Sequence, residues 1–138
     1  MAPFLRCIEH SRPLMRETMK TSILIVEDEK IVREGLARAL SRSYKTYQAS
    51  TGEEAMELLN DNSSIRVIVS DLKMPELDGF EMLEKIQAAK KTVNVIFVTA
   101  FFSVESAVDA MRRGAFDYIT KPVDLKKLET IIQSAIES

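Results

Sequence analysis

Two apolar runs in this chain end in carboxylates. Residues 22–26 (Ser-Ile-Leu-Ile-Val) lead into Glu27-Asp28, and residues 65–70 (Ile-Arg-Val-Ile-Val-Ser) lead into Asp71. A fold that sets the two runs side by side brings three carboxylates to one edge. Two like charges about 4 Å apart repel by roughly 4 kcal/mol at an effective dielectric near 20. Such a cluster persists where a cation, a proton or a lysine neutralises it. The chemistry suggested is a divalent-metal site beside an aspartate that could act as a nucleophile.

Two further runs end in residues that suit this site. Residues 93–98 lead into Thr99-Ala100, and residues 115–119 are followed by Lys121-Pro122. An edge with carboxylates, a hydroxyl and an ammonium could hold a hard cation and a phosphoryl group, and its catalysis would be positioning plus charge neutralisation. Each residue also has an ordinary structural reading. Asp28 could be the N-cap of the next helix, Asp71 a loop carboxylate, Thr99 a strand-end residue bonded to backbone, and Lys121 a surface lysine. Their joint placement at the ends of strands is what favours a site.

The elements that must position them alternate along the chain. Strands are expected at 22–26, 44–49, 65–70, 93–98 and 115–119. Most are short, rich in β-branched residues and apolar without alternation, as in strands buried on both faces. The strand at 44–49 is more polar and suits a sheet edge. Helices are expected at 29–42, 51–61, 80–90, 103–113 and 124–137. In the first, Ile31, Gly35 and Ala39, with Val32, Leu36 and Leu40, fall on one face. Thr51 and Glu54 predict a capping box for the second, and Ala55, Leu58 and Leu59 its buried face. Leu83 and Ile86 are expected to be buried in the third. Val104, Ala107, Val108 and Met111 predict a largely core-facing side for the fourth, which Gly114 ends. Leu125, Leu128, Ile131, Ile132 and Ala135 mark the apolar side of the fifth. Residues 71–79 read as a loop, marked by Pro75 and Asp78-Gly79.

Strict alternation of strands and long helices argues for a parallel α/β sheet covered on both faces. The expected fold is a flavodoxin-like, doubly wound (βα)5 domain with strand order 2-1-3-4-5. That order is the common solution for this number of strands, and periodicity alone does not establish it. It makes the first and third strands neighbours at the switch point, where ligands of such sheets bind.

The chain of 138 residues is the size of one domain, and 46% hydrophobic residues can fill a core. The formal net charge of -2 supplies no bulk attraction to nucleic acid. One cysteine, Cys7, allows no internal disulfide and suits a reducing, cytoplasmic setting. One histidine, His10, with that cysteine excludes a His/Cys zinc site within the chain. No apolar stretch is long enough to span a membrane, and no long apolar leader opens the chain. Residues 1–20 differ from the rest, with Pro3, Pro13 and an excess of basic residues, and read as a mobile extension before a domain at 21–138.

Residues 22–137 closely resemble the receiver domain of bacterial two-component response regulators. The matching pieces are Ile23-Leu24-Ile25-Val26-Glu27-Asp28-Glu29, Val69-Ser70-Asp71-Leu72-Lys73-Met74-Pro75-Glu76-Leu77-Asp78-Gly79, Val98-Thr99-Ala100 and Gly114-Ala115-Phe116-Asp117-Tyr118-Ile119-Thr120-Lys121-Pro122. No one of these motifs would be specific alone; their order is. The resemblance implies that Asp71 is the phosphoacceptor for a sensor histidine kinase. It implies that Glu27, Asp28, Asp71 and the backbone carbonyl of Lys73 bind Mg²⁺, for which Mn²⁺ can substitute. Thr99 is similar to the switch hydroxyl, Tyr118 to the aromatic switch residue and Lys121 to the lysine that pairs with phosphate. The Lys121-Pro122 bond is often cis in that family. Where Glu27 stands the family often has Asp, which alters ligand geometry rather than function.

The resemblance further implies a readout surface on the fourth helix, fifth strand and fifth helix, facing an output domain, a downstream protein or a second copy of the chain. It implies no chemistry on outside substrates, only the domain's own phosphorylation and dephosphorylation, and no direct contact with nucleic acid or membrane. Phe101 and Phe102, just after Thr99, are candidate partner contacts, and Phe101 is a candidate cover that slows water attack on phosphorylated Asp71. Three alternatives stand beside this reading. A phosphohydrolase with Asp71 as nucleophile would usually carry a second Asp where Lys73 stands. A flavin carrier would need a phosphate-cradling loop in place of Glu27-Asp28-Glu29. A phosphorylation-independent interaction module would not need Asp28, Asp71, Thr99 and Lys121 together.

Overall fold

The computed structural model describes residues 20–73, 78–89, 91–100 and 103–138. The strands are β1 (Ser22–Val26), β2 (Lys45–Ala49), β3 (Ile65–Ser70), β4 (Asn94–Thr99) and β5 (Asp117–Thr120). The helices are α1 (Lys30–Leu40), α2 (Gly52–Asp61), α3 (Gly79–Ala88), α4 (Val104–Arg112) and α5 (Leu125–Glu137). All strand pairs are parallel, and the order is β2-β1-β3-β4-β5. This is the expected flavodoxin-like order, and it sets β1 against β3, with Val26 opposite Ser70.

Successive side chains of a strand point to opposite faces, and both faces here are apolar. Leu24, Val26, Ile68 and Phe97 pack with Ala55, Leu59, Met82, Leu83, Ile86 and Ala110 on one side. Ile23, Ile25, Val67, Val69, Ile96 and Val98 pack with Ala37, Leu40, Leu128, Ile132 and Ala135 on the other. The central strands therefore read as continuous apolar runs, while edge strand β2 is mostly half-buried or exposed. Among the described residues, no helix is long and apolar enough to cross a membrane.

Several local expectations need correction. In α1 the buried side is Ala37 and Leu40, with Leu36 packed at its margin, whereas Ile31 is 87% exposed and Val32 39%. The four-residue spacing is real, but Ile31 and Gly35 face solvent, while Val32 and Leu36 border a cavity against sheet residues such as Ile25 and Val69. In α4 only Ala110 is buried; Val104, Val108 and Met111 are 73%, 43% and 47% exposed. The three large residues of the α4 stripe thus face solvent, and small residues, Ala110 and the half-buried Ala107, make the core contact.

Helix ends explain two more differences. The Thr51 hydroxyl accepts from the Glu54 N–H at 3.1 Å, as expected, but the Glu54 carboxylate reaches past Thr51 to the N–H and hydroxyl of Ser50, at 2.6 and 3.0 Å. Only half of that capping box forms. A complete one occurs at Asp78 and Glu81, and it starts α3 at Gly79, inside the expected loop. Gly114, with φ +104°, ends α4 as expected in a conformation that glycine adopts at little cost. Residues 1–19, Pro75 in the loop after β3, and Phe101 and Phe102 lie outside the described residues, so the expectations placed on them do too.

Candidate functional site

The carboxyl ends of β1, β3, β4 and β5 form one rim. The strand ladders continue just past the strand ends: the Asp71 N–H donates to the Val26 carbonyl and the Glu27 N–H to the Ala49 carbonyl, both at 3.0 Å. Those bonds fix the directions in which Glu27 and Asp71 leave the sheet. Glu27, Asp28 and Asp71 each offer a carboxylate oxygen, and the three oxygens lie within 4.8 Å of one another. Glu27 is buried, Asp71 half-buried and Asp28 exposed. The alternative in which Asp28 caps α1 is not realised. The N-cap is Glu29, which makes no side-chain capping bond.

Lys121 bridges the cluster. Its Nζ lies 2.7 Å from Glu27 Oε1 and 3.0 Å from Asp71 Oδ2. The other Glu27 oxygen, Oε2, accepts the Glu29 N–H at 3.1 Å, and Asp71 Oδ1 accepts the Lys73 N–H at 3.3 Å. The Lys121 backbone is set by its own N–H, which donates to the Thr99 carbonyl at 3.0 Å, and the peptide bond to Pro122 is cis. Thr99 itself is fully buried at the end of β4, and Tyr118 is buried opposite Phe97 in the strand register. The structure therefore joins Glu27, Asp28, Asp71 and Lys121 by side chains, and ties Thr99 to Lys121 through backbone. Lys73 contributes its N–H toward Asp71.

Burial pushes the Glu27 carboxyl above the usual range, and a hydrogen bond with Asp28 adds to that; the Lys121 and Glu29 bonds oppose it. Burial alone would lower the Lys121 ammonium, but its bonds to Glu27 and Asp71 outweigh this and hold it above the ordinary lysine value. The pair stands as an ammonium held between carboxylates. One ammonium cannot offset three acidic groups, so the rim keeps a surplus of negative charge on oxygen donors.

That donor set suits a hard divalent cation. Two oxygens on one Mg²⁺ at about 2.1 Å each are at most about 4.2 Å apart, so the three carboxylates lie within an ångström of a shared coordination sphere. A small cavity borders the cluster. It measures about 20 Å³, with Glu27, Ser70, Asp71 and Lys121 above apolar side chains such as Ile25 and Val69.

Sequence reasoning missed Arg33. Its Nη1 donates to the Glu27 carbonyl at 2.9 Å, while its backbone N–H makes the first bond of α1, to the Glu29 carbonyl, also at 2.9 Å. The available signal was position: Arg33 stands one turn past the helix start, where a long side chain lies over the preceding turn.

The sequence model for the response regulator receiver domain matches residues 23–133. Regulatory protein AtoC of Escherichia coli (strain K12) is 40% identical over 116 residues, which make up 83% of this chain and 25% of that protein. Sensor kinase CckA of Brucella abortus (strain 2308) is 34% identical over 118 residues, 84% of this chain and 12% of that protein. Among solved structures, a response regulator receiver domain protein from Clostridium thermocellum matches with a TM-score of 0.80 at 31% identity, covering 85% of this chain and 94% of that one. The chain thus spans a quarter or less of the length of these two curated relatives.

Proposed function

The chain belongs to the response regulator receiver domain family, and from that premise we propose that it is a Mg²⁺-dependent phosphoacceptor for a sensor histidine kinase. The observation that carries the reading is Lys121, whose ammonium spans Glu27 and Asp71 beside the exposed carboxylate of Asp28. An Asp71 oxygen attacks the phosphorus of the donor. The bond from phosphorus to the donor's imidazole nitrogen breaks, its electron pair leaves with the imidazole, and a new O–P bond makes an acyl phosphate. Glu27, Asp28, Asp71 and the Lys73 carbonyl would hold Mg²⁺ or Mn²⁺, which when bound would neutralise charge on the phosphoryl oxygens. Lys121 then exchanges Asp71 Oδ2 for a phosphoryl oxygen, and the Thr99 hydroxyl donates to another.

Thr99 is fully buried and Tyr118 nearly so, on the adjacent strands β4 and β5, and in this reading a new rotamer of one is coupled to the other. The new state gains population only by the difference in free energy that phosphorylation makes between the two arrangements. Its readout is the surface of α4, β5 and α5, presented to an output domain, a downstream protein or a second copy. The domain acts on no outside substrate, and water returns Asp71 to the free carboxylate. The setting is the cytoplasm, where the kinase's phosphorylated histidine is accessible.

Incubation with Mg²⁺ and acetyl phosphate, followed by intact-mass measurement, tests this. The expected result is a gain of one phosphoryl group that disappears in Asp71→Asn and on chelation of the metal. No gain with any donor would replace this reading with a phosphorylation-independent interaction module.

A further inference from the structure

The turn that presents Glu27 and Asp28 is held in an unusual way. A helix leaves its first N–H groups without intrahelical partners, and an Asp, Ser or Thr at the N-cap commonly accepts from one of them. Here α1 starts at Lys30 with Glu29 as N-cap and no side-chain capping bond, although Asp28 stands one residue away. The carboxylate that binds an N–H in this turn is that of Glu27, which accepts from Glu29. Asp28 remains exposed with its oxygen turned to the cluster.

That bond, together with the hydrogen bond between Glu27 and Asp28, holds the carboxylate side of the turn and leaves its carbonyl side to another donor. The last ladder bonds of β1 use the Val26 carbonyl and the Glu27 N–H, so the carbonyl of Glu27, a residue only 4% exposed, needs a donor from outside the sheet. A buried carbonyl without a donor is costly. Arg33 supplies the donor with its guanidinium, a charge-assisted bond of the stronger kind. It also grips the same turn through its backbone bond to Glu29. On the far side stands Glu54 of α2, whose carboxyl is lowered chiefly by the Ser50 N–H and hydroxyl and, less, by the Arg33 charge.

We infer that Arg33 is a positioning residue for the cation site: its bond to the Glu27 carbonyl fixes the turn so that Asp28 faces the cation rather than capping α1. This rests on the rim being the cation-dependent phosphoacceptor site described above. Without the guanidinium, the turn relaxes toward the ordinary N-cap arrangement and Asp28 swings to the free amides of α1. Two accounts of Arg33 differ in sign. Loss of a nearby positive charge alone would tighten binding of a divalent cation; loss of positioning weakens it.

Calorimetric titration of Mg²⁺ without any phosphodonor, on the wild type, Arg33→Gln and Arg33→Lys, separates them, with thermal unfolding run alongside. Arg33→Gln is expected to bind about tenfold more weakly, in the range for lost partners of metal ligands. Arg33→Lys, which keeps a charged donor for one carbonyl, should recover part of that. Equal or tighter binding by folded Arg33→Gln, beside a wild type that binds, overturns the inference alone, even if the melting temperature falls. A wild type that takes up no cation overturns the reading of the rim and this inference with it. Should Arg33→Gln not fold, Arg33→Lys decides: intermediate weakening supports positioning, and wild-type affinity overturns it.

Discussion

The rim gathers the ends of four strands and helix α4 lies between the last two of them, yet rim and helix are held by opposite means. At the rim, the Glu27 N–H, its carbonyl and both of its carboxylate oxygens all have partners, drawn from β2, α1, the turn and the segment after β5. Helix α4 has one buried residue, Ala110, and its polar anchors gather at its end. There Arg113 lies over the Phe80 ring at 4.6 Å and pairs with Asp109 and Glu84, and Gln87 donates to its carbonyl at 2.6 Å. A region with every group partnered has few low-energy alternatives. A helix with few contacts has more of them.

The firmest test empties a core site next to the loop that carries Asp71. Phe97 is fully buried in β4, edge-on to Phe80 with centroids 5.7 Å apart. It also sits where a side chain at Gly79 would collide, since a Cβ there would fall 2.6 Å from Phe97 Cε1 and 3.1 Å from the Asp71 carbonyl oxygen. Phe97→Ala should cost about 3–5 kcal/mol in urea unfolding, the usual cost of emptying a buried aromatic site. A loss below about 1 kcal/mol would mean the rim collapses freely, and the contrast with α4 would vanish.

Lys121→Met probes the charges rather than the packing. It leaves Glu27 and Asp71 facing each other without the ammonium. Removing one partner of a buried pair costs about 3–5 kcal/mol; the Lys121 side chain is 21% exposed, so about 2 kcal/mol is expected near neutral pH. Added Mg²⁺ should restore more stability to the variant than to the wild type, because a bound cation takes over the neutralisation. The alkaline sign comes from the raised ammonium. Its contribution is whole below the ordinary lysine value of 10.5 and is lost as pH rises through the higher folded value. The gap between wild type and variant should therefore close only above that value. A gap that closes between pH 7 and 9 would show that Lys121 is not held by these carboxylates.

The strands and the carboxylates at their ends were legible because they depend on features that are local in sequence, whereas the sheet order was the common solution for five alternating strands. A buried parallel strand is an unbroken apolar run, and the residues just after it sit at the rim. Side-chain partners across the sheet were less legible. The Lys121–Glu27 bond joins residues 94 positions apart, and no periodicity specifies it. The half-formed box at Thr51 shows the same limit at close range, since the residue types fit and only geometry decided that Glu54 would reach Ser50. Arg33 escapes notice because a lone arginine on an amphipathic helix resembles any solvated charge.

Helix α4 is where periodicity misled, and it gives the smallest expected effect. Val104, Val108 and Met111 repeat at helical spacing, which establishes an apolar stripe but not what covers it. The sheet takes Ala110 instead, whose small side chain lets the helix sit close to it. Val108→Lys should then change stability by less than about 0.5 kcal/mol, as surface substitutions do, because a lysine stem can lie along the surface with its charge in water. Chemical unfolding measures this. A loss above about 1.5 kcal/mol would mean the stripe is packed in solution, either on the domain or against a second copy. Unfolding at two protein concentrations separates those cases, since only a self-association changes the midpoint with concentration. Retained stability with unchanged Asp71 phosphorylation would leave α4 as a helix the fold does not need to hold tightly, next to a rim that it does.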